Sequence, residues 1–134
     1  MLITNTDRRS LALIAALLSA AAPGCGGSSA SAPAAVDTSQ ARDLLTSTLD
    51  AWRSGESADS LATRSPAVHV KDYEWRGGAK LEAYEVKGTG TPSGPEWRCQ
   101  VLLTLRGTDG KLKKRPASYS VATSPVIAII RDDG

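Results

Sequence analysis

One histidine, one internal cysteine and a short acidic pair are the groups in this chain whose types can carry chemistry. His69 is the sole histidine, and Asp72 and Glu74 follow it closely. An imidazole beside a carboxylate is the pairing of a general base with the group that orients it. The spacing argues against that use. Val68 and Val70 alternate with His69, Lys71, Tyr73 and Trp75, which reads as a strand, and residues three apart in a strand point to opposite faces. His69 is therefore expected as a surface or structural histidine. One histidine also gives no convincing zinc spacing. Cys99 shares the parity of Trp97, Val101 and Leu103, so a buried, inert thiol is expected there. His69, Tyr73 and Trp75 fall on one face of the expected strand and form a candidate groove for an apolar or sugar ligand. The plainer reading is that these aromatics pack beneath a helix. No glycine-rich phosphate loop follows a strand and no serine-nucleophile motif is present. No catalytic residue, metal or cofactor is assigned.

The N-terminal segment carries a different chemistry. Arg8 and Arg9 precede an apolar run from Leu11 to Ala22, twelve residues long. A membrane-crossing helix needs ~20 apolar residues to span ~30 Å of hydrocarbon. A run this short suits the core of an export signal, with the positive end held on the cytoplasmic side. Ala22-Pro23-Gly24-Cys25 resembles the bacterial lipobox, although Ala22 stands where Leu is usual and Pro23 where Ala or Ser is usual. The resemblance implies that residues 1–24 are removed and that Cys25 is acylated on sulfur. The alternative is ordinary cleavage near Ala20 to Ala22, which leaves Cys25 as a free thiol. Arg8-Arg9-Ser10-Leu11 weakly resembles a twin-arginine signal, and general secretion is the expectation. Gly26, standing where an Asp would favour inner-membrane retention, leans toward the outer membrane. The expected location is thus lipid-anchored in the envelope, facing the periplasm.

Gly26 to Val36, GGSSASAPAAV, has too little apolar surface to repay ordering and is expected as a tether. Eleven such residues reach about 18 Å on average and about 38 Å fully extended. Loss of residues 1–24 removes Arg8, Arg9 and Asp7, so the formal charge falls from +2 to +1. No concentrated basic face for nucleic acid is visible at this balance, and no nucleic-acid partner is expected. With Cys25 acylated, Cys99 lacks an intramolecular partner, and no disulfide framework supports the fold.

The elements that must position these groups follow from periodicity. Residues 37–134 read as a single α+β domain. Ala41, Leu44, Leu45, Leu49 and Trp52 form an amphipathic helical stripe, with Thr38 or Ser39 as N-cap and Gly55 at the C-terminal cap. A short turn is expected over Ser57 to Thr63, stopped by Pro66. Strands are expected from Val68 to Trp75, from Lys80 to Lys87, from Trp97 to Arg106, from Leu112 to Ala122 and from Val126 to Ile130. Gly77-Gly78 and the stretch Gly88 to Pro95 are expected as turn and loop. Pro116 marks an edge position or a bulge. Lys111, Lys113, Lys114 and Arg115 form a basic arm, read as a solvated edge that resists strand pairing, or else as a contact for anionic headgroups. The expected architecture is a helix packed on an antiparallel meander of four to five strands.

Ala51-Trp52-Arg53-Ser54-Gly55-Glu56, Leu61-Ala62 and Ser65-Pro66-Ala67-Val68-His69-Val70 resemble the helix-to-strand passage of SnoaL-like domains, within the nuclear-transport-factor-2-like superfamily of cone-shaped, cystatin-like α+β folds. The whole chain also resembles short bacterial lipoproteins with a Cys-Gly-Gly start, one helix, and strands carrying Ser65 to Val70 and Thr123 to Val126. Three functions follow as expectations. The first is a non-enzymatic envelope lipoprotein that binds a protein or envelope polymer. The second is a small-ligand binder with a pocket between helix and sheet. The third is a SnoaL-like enzyme using His69 and a carboxylate.

Overall fold

Asp37 opens the first helix by capping it. In the computed structural model, which describes residues 35–133, its carboxylate Oδ1 accepts the backbone N–H groups of Ser39 at 3.0 Å and Gln40 at 3.1 Å. Asp37 therefore takes the N-cap role expected of Thr38 or Ser39. Cys25 and the segments expected as signal and most of the tether lie outside the described residues. Helix α1 runs Thr38–Arg53 and ends in a Schellman motif. Gly55, at φ 94°, donates to the Trp52 carbonyl, and the Glu56 N–H donates to that of Ala51. Ala41, Leu45, Leu49 and Trp52 of the expected stripe are buried, with Leu44 at its margin.

The remaining elements are α2 (Ala58–Leu61), β1 (Val68–Lys71), α3 (Tyr73–Arg76), β2 (Lys80–Ser93), β3 (Glu96–Arg106), β4 (Leu112–Ala122) and β5 (Ile127–Arg131). They make an α+β domain with α1 packed on a five-stranded mixed sheet of order β1-β5-β4-β3-β2. The expected meander holds from β2 to β5, where every neighbouring pair is antiparallel. It fails at β1, which lies beside β5 and runs parallel to it, with Val68 opposite Ile127 and Lys71 opposite Ile130. A parallel pair cannot be closed by a hairpin. Here the whole β2–β4 meander is the connection between the two strands.

The core sits between α1 and one sheet face. Trp97, Cys99, Val101, Leu103 and Leu105 of β3 are all buried, as alternation requires. Leu45, Leu49 and Leu103 are at most 1 % exposed, and each such side chain contributes about 1.5–3 kcal/mol by leaving water. Two features break simple alternation. In β2 a register shift between Leu81 and Ala83 moves the inward position from odd to even residues, so Leu81, Tyr84 and Val86 face inward together. The stretch expected as a loop from Gly88 continues as strand to Ser93, across a second shift between Lys87 and Thr91. That bulge wraps the Trp97 indole, whose Nε1 donates to the Thr89 carbonyl at 3.1 Å. Gly90, at φ 71°, is required there because a Cβ would overlap the indole ring. Among the described residues, no helix is long and apolar enough to cross a membrane.

Candidate functional site

The strand expected from Val68 to Trp75 ends at Lys71, and Asp72 is the reason. Its Oδ1 accepts the N–H groups of Glu74 at 2.9 Å and Trp75 at 3.1 Å, which turns the chain into α3. Helix geometry places residues two apart on nearly opposite sides. Tyr73 and Trp75 therefore do not share a face with each other, and the three residues cannot line one face together. His69 stays in β1, exposed, opposite Ala128. Trp75 turns inward, stacks on Trp52 with centroids 5.0 Å apart and planes 4° from parallel, and donates its indole N–H to the Glu56 carbonyl. Tyr73 turns outward and lies over the Arg131 guanidinium, 4.5 Å from ring centroid to carbon. The three members of the candidate groove line no common cleft.

A different constellation occupies the end of the sheet. The parallel register sets Lys71 opposite Ile130, so the next residues on the two strands, Asp72 and Arg131, arrive side by side. The antiparallel register of β4 with β5 sets Tyr119 opposite Arg131. The result is a buried polar cluster. The Tyr119 hydroxyl donates to Asp72 Oδ2 at 2.5 Å. Arg131, with a fully buried side chain, donates from Nε and Nη2 to Asp133 at 2.8 and 3.1 Å. Its Nη1 lies 3.5 Å from Asp72 Oδ1 as an ion pair, outside hydrogen-bonding geometry. Glu74, in α3, bridges outward: Oε1 is 3.5 Å from Arg131 Nη2 and 2.8 Å from Arg115 Nε. Such a cluster holds only because nearly every charge has a partner.

The protonation states follow from these contacts. Burial and then the adjacent Asp72 carboxylate push the Tyr119 phenol far above its ordinary value, so it stays a neutral donor. For Arg131, burial pulls downward, but the Asp133 hydrogen bonds and the Asp72 charge outweigh it and the guanidinium stays charged. Burial also raises Asp133, yet the hydrogen bonds and charge of Arg131 win and hold its carboxyl low. Burial pushes the Cys99 thiol up to about 11, which makes it a poor nucleophile at neutral pH.

A cleft of about 350 Å³ opens beside this cluster, lined by Tyr73, Glu74, Leu105, Thr108, Lys113 and Arg115. Its floor is apolar and its wall on β4 is basic. The Asp72–Tyr119–Arg131 group lies behind it, hydrogen-bonded except at Arg131 Nη1, and the Arg131 guanidinium contacts both Glu74 and Tyr73. No grouping of His, Cys, Asp and Glu suited to a metal ion occurs among the described residues.

Sequence reasoning left Arg131 and Tyr119 without a role. One signal was present: Arg131 follows Ile127 and Ile129 at the same parity, which puts a charge at an inward position. Compared with protein-family models, with curated proteins and with solved structures, the chain matches none.

Proposed function

We propose that this chain is an exported lipoprotein, anchored to the bacterial envelope through acylated Cys25, whose α+β domain is a non-enzymatic binding module. The observation that carries the binding-module part is the closed interface between helix and sheet. Leu45, Leu49, Trp97 and Leu103 fill it at 0–1 % exposure, and the clefts beside Tyr73, Gln100 and Ile130 open to solvent. A domain filled this way has its surface available for recognition rather than its interior. The anchor part rests on the Leu11–Ala22 run and on Cys25 with its flanking small residues.

A second reading, a small-ligand binder, is favoured by the cleft beside Tyr73, whose 350 Å³ falls in the range of small-molecule sites. The SnoaL-like resemblance extends to a helix laid on a sheet. The enzyme it implies relies on His69, which forms no salt bridge with a carboxylate among the described residues.

The test is mass spectrometry of the N-terminal peptide of the protein from its host, with a cellular assay of two variants. Acyl mass on Cys25 is expected, and Cys25→Ser should leave the protein uncleaved or release it in soluble form. Shortening the Gly26–Val36 tether should impair function in the cell more than His69→Ala does. Absence of acyl mass overturns the anchor. Loss of function in a folded, anchored His69→Ala protein overturns the binding module in favour of an enzyme.

A further inference from the structure

β4 is paired along both edges for only part of its length. Against β3 it is paired from Leu112 to Ala122 without a register shift. Against β5 the pairing runs only from Tyr119 to Ala122, extended by the Asp132 N–H to the Ser118 carbonyl at 2.8 Å. Leu112 to Ala117 therefore present one unpaired backbone edge among the described residues, about 20 Å long.

The direction of its groups follows from Ser118. Its carbonyl faces β5, and backbone polarity alternates along a strand. Pro116, Lys114 and Leu112 thus turn their backbones toward the open edge. This also explains Pro116: the N–H it lacks would have pointed to the edge and not to β3. Lys114 and Leu112 each offer a free N–H and carbonyl there, and Pro116 a carbonyl.

The side chains around this edge select the partner. Leu112 is 55 % exposed. Lys111, Lys113 and Lys114 are exposed and form no salt bridge among the described residues, while Arg115 is held by Glu74. Lys113 and Arg115 also wall the cleft whose floor includes Leu105 and Tyr73.

We propose that the Leu112–Ala117 edge is a docking site for an extended acidic peptide segment of a protein partner, which adds a strand to β4. Backbone groups on the edge supply the ladder. Carboxylates at alternate positions meet Lys113 and Arg115 at the cleft, and the apolar side chains between them cover Leu112 on the other face. A second copy of this chain is disfavoured, because pairing β4 with itself sets lysine against lysine. The Gly26–Val36 segment is disfavoured because it has no carboxylate to offer. A lipid surface offers anions but no backbone ladder. The site also lies at the far end of β3 from Gly94, where the Val36 N–H meets the Gly94 carbonyl and the described chain begins.

This deepens the binding-module reading and rests on it. The experiment uses the full chain in detergent and a capped heptapeptide, Glu-Val-Glu-Val-Glu-Val-Glu, with its Lys-for-Glu counterpart as control. Binding is read by fluorescence anisotropy, and hydrogen exchange of the 112–117 segment by mass spectrometry. The acidic peptide should bind, the basic one should not, and exchange should slow in 112–117. The double variant Lys113→Glu/Lys114→Glu should weaken binding by about tenfold or more. Lys114→Pro, which removes an outward N–H as well as the ammonium, should weaken it more than Lys114→Ala, which removes the ammonium alone, while leaving the thermal melt close to wild type. The proposal is overturned if both peptides bind equally or neither binds, or if exchange in 112–117 is unchanged on binding. It is equally overturned if phosphatidylglycerol vesicles displace the peptide, or if the free protein is a dimer with that segment already protected. Failure here with Cys25 acylated and tether shortening harmful in the cell removes the edge and leaves the binding module standing.

Discussion

Tyr119→Phe is the sharpest probe of the buried cluster. Tyr119 is 1 % exposed, and its hydroxyl is the one hydrogen-bond donor to Asp72 Oδ2 among the described residues. Phenylalanine keeps the ring and its packing and removes only that donor. A hydrogen bond to a charged group contributes about 1.5–3 kcal/mol, and a buried acceptor left bare pushes the cost to the upper end of that range. The expected loss is therefore about 2–3 kcal/mol, large against the 5–15 kcal/mol typical of a domain. Urea unfolding followed by tryptophan fluorescence measures it, with an unchanged m value as the check that both states are comparable. A pH series adds a second readout with a definite sign. The folded-state pKa of Tyr119 is raised, so its contribution is complete below the unfolded phenol value of about 10 and is lost as pH rises beyond it. Phenylalanine does not titrate. The stability gap between wild type and variant should thus narrow above pH ~10. Tyr84 and Cys99, which burial raises to about 12 and about 11, act alike in both proteins and cancel from the gap. A cost below about 0.5 kcal/mol at pH 7, or a gap that widens at alkaline pH, would refute the reasoning that Asp72 depends on this phenol.

Other outcomes follow from the same structure. Leu103→Ala, at a site with no exposure, should cost about 2–5 kcal/mol in urea unfolding, and Thr104→Ala on the opposite face far less; equal costs would contradict the register of β3. Arg131→Met should cost about 3–5 kcal/mol, because it leaves Asp72 and Asp133 without their buried cation; a neutral or stabilising result would mean that shape alone holds that end of the sheet. Cys99 should resist a disulfide reagent at pH 8 in the native protein and react on unfolding, with one thiol counted if Cys25 is acylated and two if it is not. Gly90→Ala should destabilise by more than about 1 kcal/mol, since it meets both a positive φ and the Trp97 indole.

Local rules in the sequence determined much of this domain. The 3.6-residue stripe Ala41–Leu45–Leu49–Trp52 and the strict alternation Trp97–Cys99–Val101–Leu103–Leu105 each name a buried face without reference to anything distant. Gly55 and Pro116 were legible for the same reason: a positive φ and a missing N–H are properties of one residue in its own strand or helix. The end of β1 was misread because Asp72 acts through its side chain as a helix cap, which overrides the alternation that Tyr73 and Trp75 continue on paper. The β2 bulge between Lys87 and Thr91 escaped because the Trp97 indole that it wraps sits on another strand. The insertion of β5 between β1 and β4 was beyond local pattern altogether, since Val68–Lys71 and Ile127–Arg131 read as apolar strands with any neighbour. That one long-range pairing brings Asp72, Tyr119 and Arg131 together and leaves Leu112–Ala117 unpaired. Both follow from the tertiary arrangement, because strand order is fixed by burying the sheet face under α1 and α2 together and not by any segment's own preference.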